Sequence, residues 1–178
     1  MIIKTTDIQE LNKIIRNQLI LQSGLSSNQV MNGVSIHGQD LLERINQYAY
    51  KTYTLQSSFV VFVLESRDCD SNFSQVQDDG NIRVVASYKV HCYIYGYNCQ
   101  TLANVMVGRL RTEYARLDLQ QNGVYLADVS EPITSNDFIN DSLMIRTDFF
   151  INISCEMLVQ QASMGDEIKS FNINTEEI

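Results

Sequence analysis

The chain has no tryptophan, one proline, eight glycines and two histidines in 178 residues, and only 19% of its residues are charged. So little Pro and Gly excludes a collagen-like or low-complexity chain, and 44% hydrophobic residues is the composition of a packed globule. This length suits one domain with one core, and no linker-like stretch divides it. No apolar run reaches the roughly 18 residues of a membrane span. The opening MIIKTTDIQE turns polar at once instead of continuing into a signal-peptide core. A soluble, unexported protein with no membrane partner is expected.

Site motifs are equally scarce. Cys69, Cys92, Cys99 and Cys155 fall at no metal-type or redox-type interval, so free thiols are expected. Cys92 adjoins His91, but neighbours in a strand point to opposite faces and cannot pair as nucleophile and base. The other histidine, His37, falls in an expected turn. Asp68, Asp70, Asp78 and Asp79 lack the one-three-five spacing ending in Glu that calcium loops use, and are read as a solvated loop. No phosphate loop, dinucleotide fingerprint, paired zinc motif or nucleophile elbow occurs. No cofactor, metal or catalytic residue is therefore expected, and the protein is not read as an enzyme. With 13 Lys and Arg against 21 Asp and Glu, the net charge is −8. That disfavours holding nucleic acid by counterion release, yet suits a wall past which DNA must slide.

What is present is periodicity. Thr6 and Gln9 have the spacing of a capping box, and Ile8, Leu11, Ile15 and Leu19 follow at helical intervals, predicting a helix that ends at Gly24. Asn32-Gly33 reads as a turn, and Gln39 to Tyr50 as a short second helix. The unbroken apolar run Phe59 to Leu64 predicts a strand buried on both faces. Glu65 to Asn81 reads as a long hairpin loop, and Ile82 to Ile94 alternates as a half-buried strand. Asn98 is positioned to cap one helix running to Asn122-Gly123, with Leu102, Val105, Met106, Leu110, Tyr114 and Leu117 on its apolar side. Val124 to Val129 is a short strand, Glu131 to Ser142 a polar connection through Pro132, and Leu143 to Glu156 another alternating strand.

The expected fold is α+β: an antiparallel four-stranded sheet, in the order helix, strand, strand, helix, strand, strand, covered by helices. Residues 1–159 form the domain. Residues 160–178, polar and acidic, form an extended arm that orders only on a partner. Charge is polarised: Arg109, Arg111 and Arg116 lie on the long helix, while Asp128, Glu131, Asp137, Asp141, Asp148 and Glu156 follow against Arg146 alone. Such a surface suits self-association, and a solvated helix face accounts for it equally well.

The segment from Arg109 to Glu156 resembles the phage neck and tail terminator family. The resemblance is carried by Arg109-Leu110-Arg111 in a helix, then Asn122-Gly123-Val124-Tyr125-Leu126-Ala127-Asp128-Val129-Ser130, then Arg146 opening an alternating strand. With the preceding elements it covers roughly Thr6 to Leu158. It implies a ring subunit, usually of a hexamer, stacked on the tail tube at the head–tail junction of the virion after assembly in the host cytoplasm. The implied partners are further copies of the chain, the tail tube protein and a head-completion or portal-side connector protein, with genomic DNA passing through the lumen unbound. On that reading Arg109, Arg111, Arg116, Arg146, Asp128 and Glu131 serve subunit contacts, and Asp68, Asp70, Asp78 and Asp79 lie on a lumen or stacking loop. A head-completion or adaptor ring subunit is the nearest alternative. A small-molecule-binding or catalytic domain using Cys69 or His91 is a more distant one, and a nucleic-acid-binding module is disfavoured by the charge.

Overall fold

A computed structural model describes residues 7–33, 58–69, 75–76, 82–96, 98–139 and 142–159. The proposed helix from Gln39 to Tyr50, the arm 160–178, His37, Asp70, Asp78 and Asp79 lie outside them. Helix α1 spans Ile8–Ser23 and is capped by Asp7, not Thr6: the Asp7 carboxylate accepts from the Glu10 backbone N–H at 2.6 Å. A carboxylate there both satisfies an orphan donor and meets the positive end of the helix dipole. The helix stops as expected at Gly24, whose φ of 71° is left-handed and whose N–H donates to the Ile20 carbonyl. Leu11, Ile14, Ile15, Gln18, Leu19 and Gln22 face inward, while Ile8, in the first turn, is exposed.

Strand β1, Val30–Asn32, runs parallel to β2, Phe59–Cys69, pairing Val30 with Val60. A parallel pair needs a long crossover, which the intervening chain supplies. The expected turn at Asn32-Gly33 is a close approach: the Gly33 N–H donates to the Phe62 carbonyl at 2.8 Å, and a Cβ on Gly33 would sit 2.9 Å from Val63 Cγ2. Only glycine fits there. β2 keeps its apolar start buried at Phe59, Val60, Val61 and Phe62, between β1 and β4. It continues past Leu64 to Cys69, so Asp68 stands in a strand and not in the expected loop. Pairing with a long neighbour carries a strand through polar residues that look like loop when read alone.

Strands β3, Gln75–Val76, and β4, Ile82–Tyr95, follow. The single long helix is in fact two, α2 (Cys99–Leu110) and α3 (Glu113–Gln121). Thr112 makes the break: its backbone is extended, its hydroxyl donates to the Arg109 carbonyl at 2.6 Å, and the same oxygen accepts from the Ala115 N–H. The hydroxyl thus closes one helix and caps the next. Asn98 stands at the start of α2 but makes no side-chain cap bond. α3 ends at Asn122, followed by Gly123 with φ 78°. Strands β5 (Val124–Val129), β6 (Ile133–Ile139) and β7 (Ser142–Val159) complete the chain, β6 replacing the expected polar connection.

The fold is α+β, but among the described residues the sheet is mixed and seven-stranded where four antiparallel strands were expected. The order is β1-β2-β4-β7-β5, with β3 on β4 and β6 on β7. Every pairing except β1 with β2 is antiparallel. One core unites the helices with one sheet face: Leu11, Ile15, Leu19, Met106, Leu110 and Leu119 meet Phe62, Val90, Cys92, Ile94, Phe149, Ile151 and Ile153. The alternation expected along β4 is therefore present, and its second face carries Ser87, Lys89, His91 and Tyr93, all half-buried.

Candidate functional site

The residues with chemistry in them are divided between the two faces of the sheet. Cys92 is fully buried in the core, where burial pushes its thiol pKa far up, and it points away from His91. His91 Nε2 lies 3.2 Å from a Glu65 oxygen without hydrogen-bonding it, and its ring stacks 6.2 Å from that of Tyr93. Cys92 is not placed to be activated by His91. Cys99 and Cys155 are likewise free and buried, and Cys69 ends β2. Among the described residues no group of three His, Cys, Asp or Glu side chains could hold a metal ion.

Arg146 and Asp148 share the second face with His91. Arg146 Nε and Nη2 donate to the two Asp148 oxygens at 2.8 Å each, and its guanidinium lies 5.3 Å from the Tyr93 ring centre. Burial opposes the charge of Arg146, but hydrogen bonds to Asp148, that carboxylate's charge and Tyr95 outweigh it and push the pKa up. The Tyr93 hydroxyl is also pushed up, by burial first and then by Asp148 and Glu65, with Arg146 opposing. Lys89 Nζ sits 4.1 Å over the Phe150 ring. His91 Nε2 and Asn152 Oδ1 are shielded from solvent and have no hydrogen-bond partner among the described residues.

The three helical arginines are used differently. Arg109 Nη1 donates to the Gln22 carbonyl at 2.9 Å, a cation on the negative end of α1. Arg111 Nη2 donates to the Val129 carbonyl and Nη1 meets Glu131, both at 2.7 Å, tying the α2–α3 corner to the end of β5. The structure thus brings Arg111 and Glu131 together within one copy and sets Arg146 apart from them. Arg116 and Asp128 are exposed, with no ion partner among the described residues. Asp128 owes its outward position to an irregularity in β5 between Leu126 and Asp128.

The exposed apolar side chains were not foreseen. Tyr114 is 72% exposed, Leu117 50% and Ile133 70%. A continuous helix placed Tyr114 and Leu117 on the buried side, whereas the break at Thr112 turns α3 so that Ala115 and Leu119 face the core. The available signal was Thr112-Glu113, a cap residue followed by an acid in a first turn. Tyr114 and Leu117 lie on the outer side of the helix layer and the Arg146–Asp148 pair on the opposite sheet face, so exposed apolar and paired charged groups stand on two different sides of the sheet.

A family model for phage neck terminator proteins matches residues 10–178. The chain belongs to that family. No curated protein matches it. The match runs on through 160–178, so the family extends past Leu158, where the resemblance stopped. A neck terminator is a structural protein of the bacteriophage virion. Among the described residues, no helix of this terminator is long and apolar enough to cross a membrane.

Proposed function

We propose that the protein is one subunit of a closed ring, a hexamer, that caps the phage tail tube where growth has stopped and joins it to the head. Membership of the neck terminator family over residues 10–178 carries this reading. A ring of identical subunits uses heterologous contacts whose rotation closes, with further surfaces for the layers above and below. The polarised charge supplies candidates for subunit contacts: Arg116 and Asp128 face solvent, while Arg109, Arg111, Glu131 and Arg146 already have partners within one copy. The partners on this reading are further copies of the chain, the tail tube protein and a head-completion or portal-side connector protein, met during assembly in the host cytoplasm. The segment containing Asp70, Asp78 and Asp79, beyond Asp68 at the end of β2, is assigned to the lumen or to a stacked neighbour. The net charge of −8 lets DNA pass without sticking. Residues 160–178 form an arm on the domain of residues 1–159 and dock on one of these partners.

The test is absolute mass by light scattering, followed by negative-stain imaging with and without tail-tube protein. Rings that cap tubes and halt their growth support the reading. A monomer that ignores tubes rejects it, and binding to portal-bearing heads instead of tubes moves the protein to head completion.

A further inference from the structure

The sheet holds two crossovers between parallel strands. β1 and β2 are parallel neighbours, and β4 and β5 are parallel with β7 between them, each antiparallel to β7. The β4-to-β5 connection is α2 and α3, whose Met106, Leu110 and Leu119 lie in the core with α1. Both connections travel the same way along the order β1-β2-β4-β7-β5, but β1 runs opposite to β4, because β2 pairs with β4 antiparallel. The hand of a crossover is set by strand direction, direction of travel and the face it lies on, so reversing one of the three alone reverses the hand. Such crossovers are right-handed in nearly all proteins. With α2 and α3 on the core face, a β1-to-β2 connection of the same hand must lie on the second face.

Burial on that face points the same way. Met31, Phe59, Val61 and Tyr95 alternate with core residues and stand outside the helix-side cluster, yet none is more than 7% exposed. The Phe59 and Tyr95 rings stack at 5.1 Å. Every described helix contributes to the core on the other face. The chain also leaves β1 against second-face side chains: a Cβ on Gly33 would meet Val63 Cγ2 at 2.9 Å and Val61 Cγ1 at 3.3 Å. Towards β5 the same face opens, with Tyr125 39% exposed and Asp128 facing solvent. Residues 34–57 exceed the dozen or so that a parallel crossover requires, and Leu41, Leu42, Ile45, Tyr48 and Ala49 recur there at helical intervals.

We propose that residues 34–57 pack on the second sheet face over Met31, Phe59, Val61 and Tyr95, with Leu41, Leu42, Ile45, Tyr48 and Ala49 as the apolar side of the contact. The β1–β2 unit is then a right-handed crossover on the face opposite α1, α2 and α3. Beside β1 the sheet lies between two layers, and a partner approaching the second face is left the β5 side, at Tyr125 and Asp128. This contact lies within one copy and is independent of the ring.

Photo-crosslinking of the full chain tests the placement. One variant carries Tyr93→p-benzoylphenylalanine, opposite Val61 on the second face, and another carries the same probe at Tyr114, exposed on α3. Mixing isotope-labelled and unlabelled copies separates links within one chain from links between chains, and unchanged circular dichroism shows that each variant is folded. If the Tyr93 variant unfolds, His91→p-benzoylphenylalanine, opposite Val63 on the same face, takes its place. The second-face probe should link to residues 34–57 of its own chain, and those links should be lost when the probe stands at Tyr114. Links from Tyr114 to residues 34–57 would make the crossover left-handed and overturn the proposal. A second-face probe that captures only residues 160–178, only another copy, or nothing overturns it as well. Capping of tail tubes bears on the ring alone, so the two readings fail separately.

Discussion

Strand β7 belongs to two environments. From Ile151 to Cys155 it lies between β4 and β5 under the helices, and Phe149, Ile151, Ile153 and Cys155 are all buried. From Ser142 to Ile145 its only neighbour among the described strands is β6, and Ile145, which shares the parity of that buried row, is 47% exposed. The alternation is the same in both halves. Period two therefore says which residues share a face, and the neighbouring strands say whether anything covers it.

The largest test of that contrast sets Phe149→Ala against Ile145→Ala. The first removes a core ring and lowers unfolding free energy by about 3–5 kcal/mol; the second costs less than about 1 kcal/mol. Equal shifts in the urea midpoint would break the comparison. Thr147 marks the boundary: it is fully buried, its hydroxyl 3.0 Å from that of Thr134 and donating to Cys99 Sγ at 3.2 Å. Thr147→Val loses both contacts at nearly constant shape, and the same titration should record about 1–2 kcal/mol.

Smaller effects are expected at the α2–α3 corner. Arg111→Ala removes the bond to the Val129 carbonyl and the Glu131 pair together, costing about 1 kcal/mol. Glu131→Ala breaks only an exposed pair and costs less than about 0.5 kcal/mol. A thermal shift that ranks Glu131 above Arg111 would make the ion pair, and not the carbonyl bond, the tie. The last effect is absent at neutral pH. Burial pushes the Cys155 thiol from 9.0 up to about 11, so the folded chain keeps a proton that the unfolded chain releases over that window. Stability falls as pH rises through it. Urea midpoints between pH 8 and 11 should decline, and less steeply in Cys155→Ala.

The sequence alone carried the features whose causes lie within a few residues. The stop of α1 at Gly24, the alternation of β4 and the opposite facing of His91 and Cys92 were legible because caps and pleats are local. The family resemblance was also legible, since element order survives where individual residues do not. Thr112 was legible in principle and was outweighed by an apolar pattern that ran across it. Other features were settled only in three dimensions. Ile133 to Ile139 looks like loop until β7 pairs with it, β1 is a strand only beside β2, and Arg111 looks free until β5 brings the Val129 carbonyl and Glu131 to it. Pairing, register and cover are contacts between residues distant along the chain, and no local period encodes which distant residue will arrive.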